Sequence, residues 1–299
     1  MFTLNWKRLG VAAGLSLSLV AAGCGSDDDA SSDKDSDSGS SGDKKIELSY
    51  VEWDTEVAST NVIAKVLEDE GFDVTVTPLD NAVMWQSVAS GESDGMVAAW
   101  LPGTHGDLYE EHKDDVEDLG TNLEGAKIGL TVPEYMDVDS IEDLKDEADK
   151  TITGIEPGAG VVQHAEQAVD DYDNLNGWEV ETSSSGAMAS ALGKAIKKKD
   201  PIVITGWSPH WMFQKYDLKY LDDPKNSFGD AEEIRTMVRK DLKDDMPDAY
   251  KILDNFQWET DDIESVMLDI QNGEDPEDAA AKWVEDNQDK VDEWTEGVE

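Results

Sequence analysis

Residues 46–100 read IELSYVEWDTEVASTNVIAKVLEDEGFDVTVTPLDNAVMWQSVASGESDGMVAAW. Residues 46–51 form a short apolar run suited to a strand. Val62, Ile63, Val66 and Leu67 then recur at helical spacing, and Gly71 supplies the stop. Val74 and Val76 mark a second strand, 83–88 lie in a second helix ending near Gly91, and 95–100 form a third strand. This β-α-β-α-β order predicts a parallel sheet with helices on both faces.

The alternation resumes further along the chain. Residues 126–132 predict a strand stopped by Pro133, and Ser140-Ile141-Glu142-Asp143 has the capping-box pattern that opens a helix. Residues 151–155 read as a strand, followed by the turn Glu156-Pro157-Gly158-Ala159-Gly160 and a helix from Val161. A strand at 178–181, a helix marked by Met188, Leu192 and Ile196, and a buried strand at 201–205 complete the second unit. Residues 232–240 predict a strand returning to the first unit, and the chain beyond Asp245 is mostly helical. The fold class expected is therefore α/β with two lobes and a cleft, lobe 1 being 46–134 plus 230–299 and lobe 2 being 135–229. In open parallel sheets ligands bind past the C-terminal ends of strands, which singles out the loops 100–105, 156–161 and 206–211.

The N-terminal residues carry a different message. Lys7 and Arg8 precede an apolar stretch, 9–22, that is too short to span a bilayer comfortably. Ala21-Ala22-Gly23-Cys24 resembles a bacterial lipoprotein signal, so 1–23 is expected to be a signal peptide and Cys24 the site of lipidation. Residues 25–44 hold seven Asp, seven Ser and three Gly. Such a composition cannot bury a core and predicts a disordered acidic linker over 24–45. The expected location is outside the cytoplasm, tethered by lipid to the outer face of the cell membrane. Cys24 is the single cysteine, which excludes an intrachain disulfide.

Composition and motifs exclude several functions. With 69 acidic residues against 24 basic the net charge is −45, which leaves no basic face for nucleic acid. Self-repulsion at this level destabilises a compact chain in dilute buffer and is screened at high salt, so the surface reads as salt-adapted. The four histidines are scattered, and neither a phosphate-binding loop nor a His-Glu-x-x-His pattern occurs, so no metal, cofactor or catalytic residue is expected. Ser208-Pro209-His210 is a superficial match to a nucleophile elbow and leaves a secreted hydrolase using Ser208 and His210 as the enzymatic alternative. A surface protein without any ligand is a further alternative, against which the clustered tryptophans count.

Ten tryptophans are many for so acidic a chain. Trp85 lies on the helix before the third strand, Trp100 ends that strand, and Trp207 ends the strand 201–205. Indoles past strand ends in opposite lobes suit a cation, above all a quaternary ammonium whose methyl groups donate no ordinary hydrogen bond. The opposite end of such a ligand calls for anion chemistry. The helix start at Gly160 offers backbone N–H groups without intrahelical partners, and His105 offers a donor from the other lobe.

The segments Trp53-Asp-Thr-Glu-Val-Ala-Ser-Thr-Asn61, Met84-Trp85, Ala99-Trp-Leu-Pro-Gly-Thr-His105, Gly154-Ile-Glu-Pro-Gly-Ala-Gly160 and Ile204-Thr-Gly-Trp-Ser-Pro-His-Trp-Met-Phe213 together resemble the glycine-betaine-binding lipoproteins of ABC osmoprotectant importers, over about residues 46–299. The resemblance implies a periplasmic-binding-protein fold that closes on its ligand. It also implies a box of Trp85, Trp100 and Trp207 around the trimethylammonium group, and a carboxylate met by the backbone N–H groups of Gly160 and Val161 and by His105. Trp53 and Trp211 are expected behind the box or in the core. Glycine betaine is the leading ligand implied, with proline betaine a co-ligand and choline or carnitine the alternative, and the permease of an ABC importer is the implied partner.

Overall fold

In a computed structural model the protein is described over residues 44–298. The signal peptide, Cys24 and the linker as far as residue 43 lie outside the described residues. The chain opens with β1 (Lys45–Tyr50), α1 (Asp54–Asp69), β2 (Asp73–Pro78), α2 (Asn81–Ser90) and β3 (Gly95–Leu101). β1 pairs in parallel with β2, from Lys45 opposite Asp73 to Tyr50 opposite Pro78, and in parallel with β3. Every residue of β3 is buried, as a strand covered on both faces should be.

After α3 (Gly106–His112) comes β4 (Val116–Pro133), which joins the two halves of the molecule. The next elements are β5 (Thr151–Thr153), α4 (Gly160–Asp171), β6 (Glu179–Glu181), α5 (Ser185–Lys198), β7 (Val203–Ser208), α6 (Trp211–Lys215), β8 (Leu218–Tyr220) and β9 (Glu232–Arg239). The strand order is β2-β1-β3-β9-β4-β7-β5-β6, with β8 on β4. β9 inserts antiparallel between β3 and β4, while β7, β5 and β6 pair in parallel. Each half thus has a parallel strand group of its own, and antiparallel strands link the halves. Along β4 the partner changes: residues up to Ala126 pair with β9, and residues from Lys127 pair with β7 and then β8.

Two expectations change. β4 is 18 residues long, whereas the sequence marks only 126–132. Its first half, with Glu117, Asp118, Asn122 and Glu124, has no apolar alternation to read. Pairing with β9 holds it, and Asn122 adds buried bonds from Nδ2 to the Val97 carbonyl and the Thr236 hydroxyl. The capping box at Ser140 is formed, but it opens a single 3-10 turn, Ile141–Asp143, not a longer helix. Leu144, fully buried, returns the chain to extended geometry and ends the turn.

The C-terminal elements are α7 (Leu242–Asp245), α8 (Pro247–Asn255), α9 (Thr260–Gln271), α10 (Pro276–Asp286) and α11 (Gln288–Trp294). They cover α1 and bury an aromatic cluster of Phe256, Trp258, Trp283 and Trp294, with the last two rings stacked 5.5 Å apart. No described helix is long and apolar enough to cross a membrane.

Candidate functional site

The strand-to-helix junctions of the two halves face one another. From the first half come Trp53, the residue just before α1, Trp100 near the end of β3, and the loop 102–105. From the second come Ile155, the start of α4 at Gly160 and Val161, and Trp207 near the end of β7. Between them lies a small cavity lined by Trp53, Trp100, Thr104, Ile128, Ile155, Gly160, Val161 and Trp207. All three indoles are at most 5% exposed.

The sequence reading differs from this arrangement at one indole. Trp85 is fully buried and is not among the residues lining the cavity. Its ring meets His105 edge-on at 5.8 Å and Tyr109 at 6.2 Å, because α2 turns this face toward α3 and the loop before it. Trp53 stands at the cavity instead, three residues past the end of β1. The strand-end rule that selects Trp100 and Trp207 selects Trp53 equally well, and it gives no reason to choose a mid-helix residue. Trp211 lies at the start of α6, outside the cavity lining.

His105 stacks on Trp53, with centroids 5.8 Å apart and planes 19° from parallel. Its Nδ1 accepts the backbone N–H of Trp100 at 3.0 Å, which leaves the proton on Nε2. Burial holds the imidazole neutral, its pKa lowered to about 3. Nε2 is buried and has no hydrogen-bond partner in the structure. The loop carrying His105 is fixed from outside by Glu232, whose carboxylate accepts the N–H groups of Gly103 and Thr104 and the Thr104 hydroxyl at 2.5–2.8 Å.

α4 opens at Gly160 behind Ala159, which has no side chain to cap it. The first N–H groups of the helix, Gly160 and Val161 among them, therefore lack intrahelical acceptors at the positive end of the dipole. Gly160 is required here. A Cβ on it would lie 2.4 Å from the Thr104 carbonyl oxygen, so the two halves approach backbone to backbone.

Carboxylates tie the indoles and the two halves together. Trp53 Nε1 donates to Glu156, and Trp100 Nε1 donates to Glu56 at 2.6 Å. Asp54, the first residue of α1, accepts Trp211 Nε1 at 2.7 Å and the Ser185 hydroxyl at 2.8 Å, and faces His210 Nε2 at 3.4 Å. Burial pushes Asp54 upward, but His210 facing it and the bonds from Trp211 and Ser185 outweigh that and hold the carboxyl at about 2. The hydrolase alternative finds no catalytic pair, since Ser208 Oγ bonds the Tyr220 hydroxyl while His210 faces Asp54 and its Nδ1 accepts the N–H of Met212. No cluster of His, Cys, Asp or Glu suited to a metal ion occurs among the described residues.

Comparison with known proteins gives a consistent picture. A family described as the substrate-binding domain of the ABC-type glycine betaine transport system matches residues 44–286. The glycine betaine/carnitine transport binding protein GbuC of Listeria monocytogenes is 53% identical over 176 residues, 58% of this chain and 57% of that one, so the match spans little more than half of the relative. Lactococcal OpuAC, solved closed with glycine betaine, is 58% identical at a TM-score of 0.83, covering 85% of this chain and all of that one. An ABC-transporter choline-binding protein solved with choline is 31% identical at a TM-score of 0.80, over 86% of this chain and 93% of that one.

Proposed function

The chain belongs to the family of substrate-binding domains of ABC-type glycine betaine transport systems, and from that membership we propose that its cavity captures glycine betaine for import. The observation that carries this reading is the meeting of three buried indoles with the uncapped start of α4 around one small cavity, with the unpaired Nε2–H of His105, a ring stacked on Trp53, outside its lining. The trimethylammonium group sits among Trp53, Trp100 and Trp207. Each desolvated indole contact contributes about 1–2 kcal/mol, and the rings bury the methyl groups without the hydration cost of a carboxylate. The carboxylate meets the N–H groups of Gly160 and Val161 and the Nε2–H of His105.

The magnitudes agree with a largely preformed site. Micromolar binding needs about −8 kcal/mol. Spread over about eight non-hydrogen atoms this is about −1 kcal/mol per atom, near the ceiling for very small ligands. Only a dry enclosure reaches it, and the close pairing of Gly160 with Thr104 supports closure of two lobes, hinged at β4, around the ligand. The closed form is then what the permease of the importer recognises, and a lipid on Cys24 keeps the protein at the outer face of the membrane.

Choline is the second reading, favoured by the choline-binding relative. It has no carboxylate and leaves the His105 and α4 donors unpaired. Calorimetric titration separates the two. Glycine betaine should bind at least about tenfold more tightly than choline. His105→Ala should weaken glycine betaine by about tenfold or more and change choline less than about threefold. No heat with either ligand would refute capture of quaternary ammonium ions.

A further inference from the structure

Glu56 is 1% exposed in the first turn of α1, directly behind a cavity indole. Its Oε1 accepts Trp100 Nε1–H at 2.6 Å. No Lys, Arg or His among the described residues lies within ion-pair distance of it. A buried carboxyl without a cation is costly to ionise. Burial accordingly pushes it up to about 8, against the hydrogen bond from Trp100 and with the charge of Asp54 adding to the rise. Asp54, on the same helix, is the charged group that bears on it, and β3 meets it with the Trp100 indole N–H.

We propose that Glu56 is the counter-charge of the cavity, a positioning residue that senses a cation through Trp100 and makes the site favour a cationic head over a neutral one of the same shape. The inference rests on the glycine betaine reading. Without ligand, Glu56 is mostly a neutral acid at pH 7. A permanent cation on the indole face compensates an anion at the indole nitrogen, so the carboxyl O–H bond breaks, the proton passes to buffer, and the carboxylate remains. An anionic acceptor on Nε1–H in turn enriches the ring face that meets the cation. The geometry provides the selectivity because the same side chain that fixes the ring also carries the charge.

The test compares glycine betaine with tert-butylacetate, its isostere with carbon in place of the quaternary nitrogen. Calorimetry at pH 7 in two buffers of different ionisation enthalpy counts protons, with competition titration where binding is weak. Wild type should release about half a proton or more per glycine betaine and none with tert-butylacetate. Glu56→Gln, which keeps an oxygen acceptor for Trp100, should release none, lose about tenfold in glycine betaine affinity and stay within about twofold for tert-butylacetate. Equal losses for both ligands, or proton release persisting in Glu56→Gln, would reduce Glu56 to a support for the ring and overturn the proposal. The wild-type proton count needs no variant, so it decides the matter even if Glu56→Gln fails to fold. Wild type that binds glycine betaine without releasing a proton overturns this inference alone. Wild type that binds no quaternary ammonium ion overturns the glycine betaine reading as well.

Discussion

Trp53 and Trp85 show how finely one side chain's position decides its role. Both are buried and both touch the His105 ring, one face-on and one edge-on. Of the two, only Trp53 lines the cavity. Trp53→Ala, Trp100→Ala and Trp207→Ala should each weaken glycine betaine more than about tenfold. Trp85→Phe retains an aromatic edge on His105 and should cost less than about threefold; calorimetry on the four variants checks this, and a large loss in Trp85→Phe would put that ring in the box. Glu56 adds a pH signature to the ligand-free protein. Its folded pKa of about 8 lies above its ordinary value, so the folded state holds a proton that the unfolded state gives up between the two. Stability from this group is full at low pH and is lost as pH rises through about 8. The melting temperature of wild type should therefore fall more between pH 7 and pH 9 than that of Glu56→Gln, and parallel curves would contradict the assignment.

The decisive elements are a helix start and a long strand. α4 presents uncapped N–H groups because Ala159 has no side chain to cap them, and Gly160 lets the Thr104 carbonyl come close to that helix start. Gly160→Ala places a methyl group 2.4 Å from that oxygen, so the halves must part to admit it. Its melting temperature should stay close to that of wild type while glycine betaine binding drops by about a hundredfold or more. Calorimetry and a thermal melt on the same sample test the pair of outcomes, and unchanged affinity would show that closure does not need this contact. β4 was half legible. Its apolar second half reads as a strand, whereas its polar first half is a strand only because β9 lies beside it.

Charge acts on the molecule as a whole. A net charge of −45 repels itself at every separation below the Debye length, which shrinks from about 8 Å at physiological ionic strength to about 3 Å at 1 M salt. Screening should raise the melting temperature by at least about 5 °C between 0.15 M and 2 M salt. Calorimetric melts in sodium chloride measure it, and a flat response would show that the acidic surface carries no stability penalty. The same excess of acid concealed part of the site. Asp54, Glu56 and Glu156 lie in segments that carry the family resemblance, but among 69 acidic residues neither composition nor spacing marks them as the three that accept indole N–H groups near the cavity. Their partners lie 44 to 157 residues away in the chain.

The sequence by itself determined the alternation of strands and helices, the two halves, and the strand-end positions of Trp100, Trp207, Gly160 and His105. These follow from hydrophobic period, glycine stops and the rule for strand ends, all of which act over a few residues. Only the tertiary structure decided which indole completes the cavity, which carboxyl stands behind Trp100, and that β4 links the halves. Such choices depend on which faces of distant elements meet, and burial, which sets the charge of His105 and Glu56, exists only once they have.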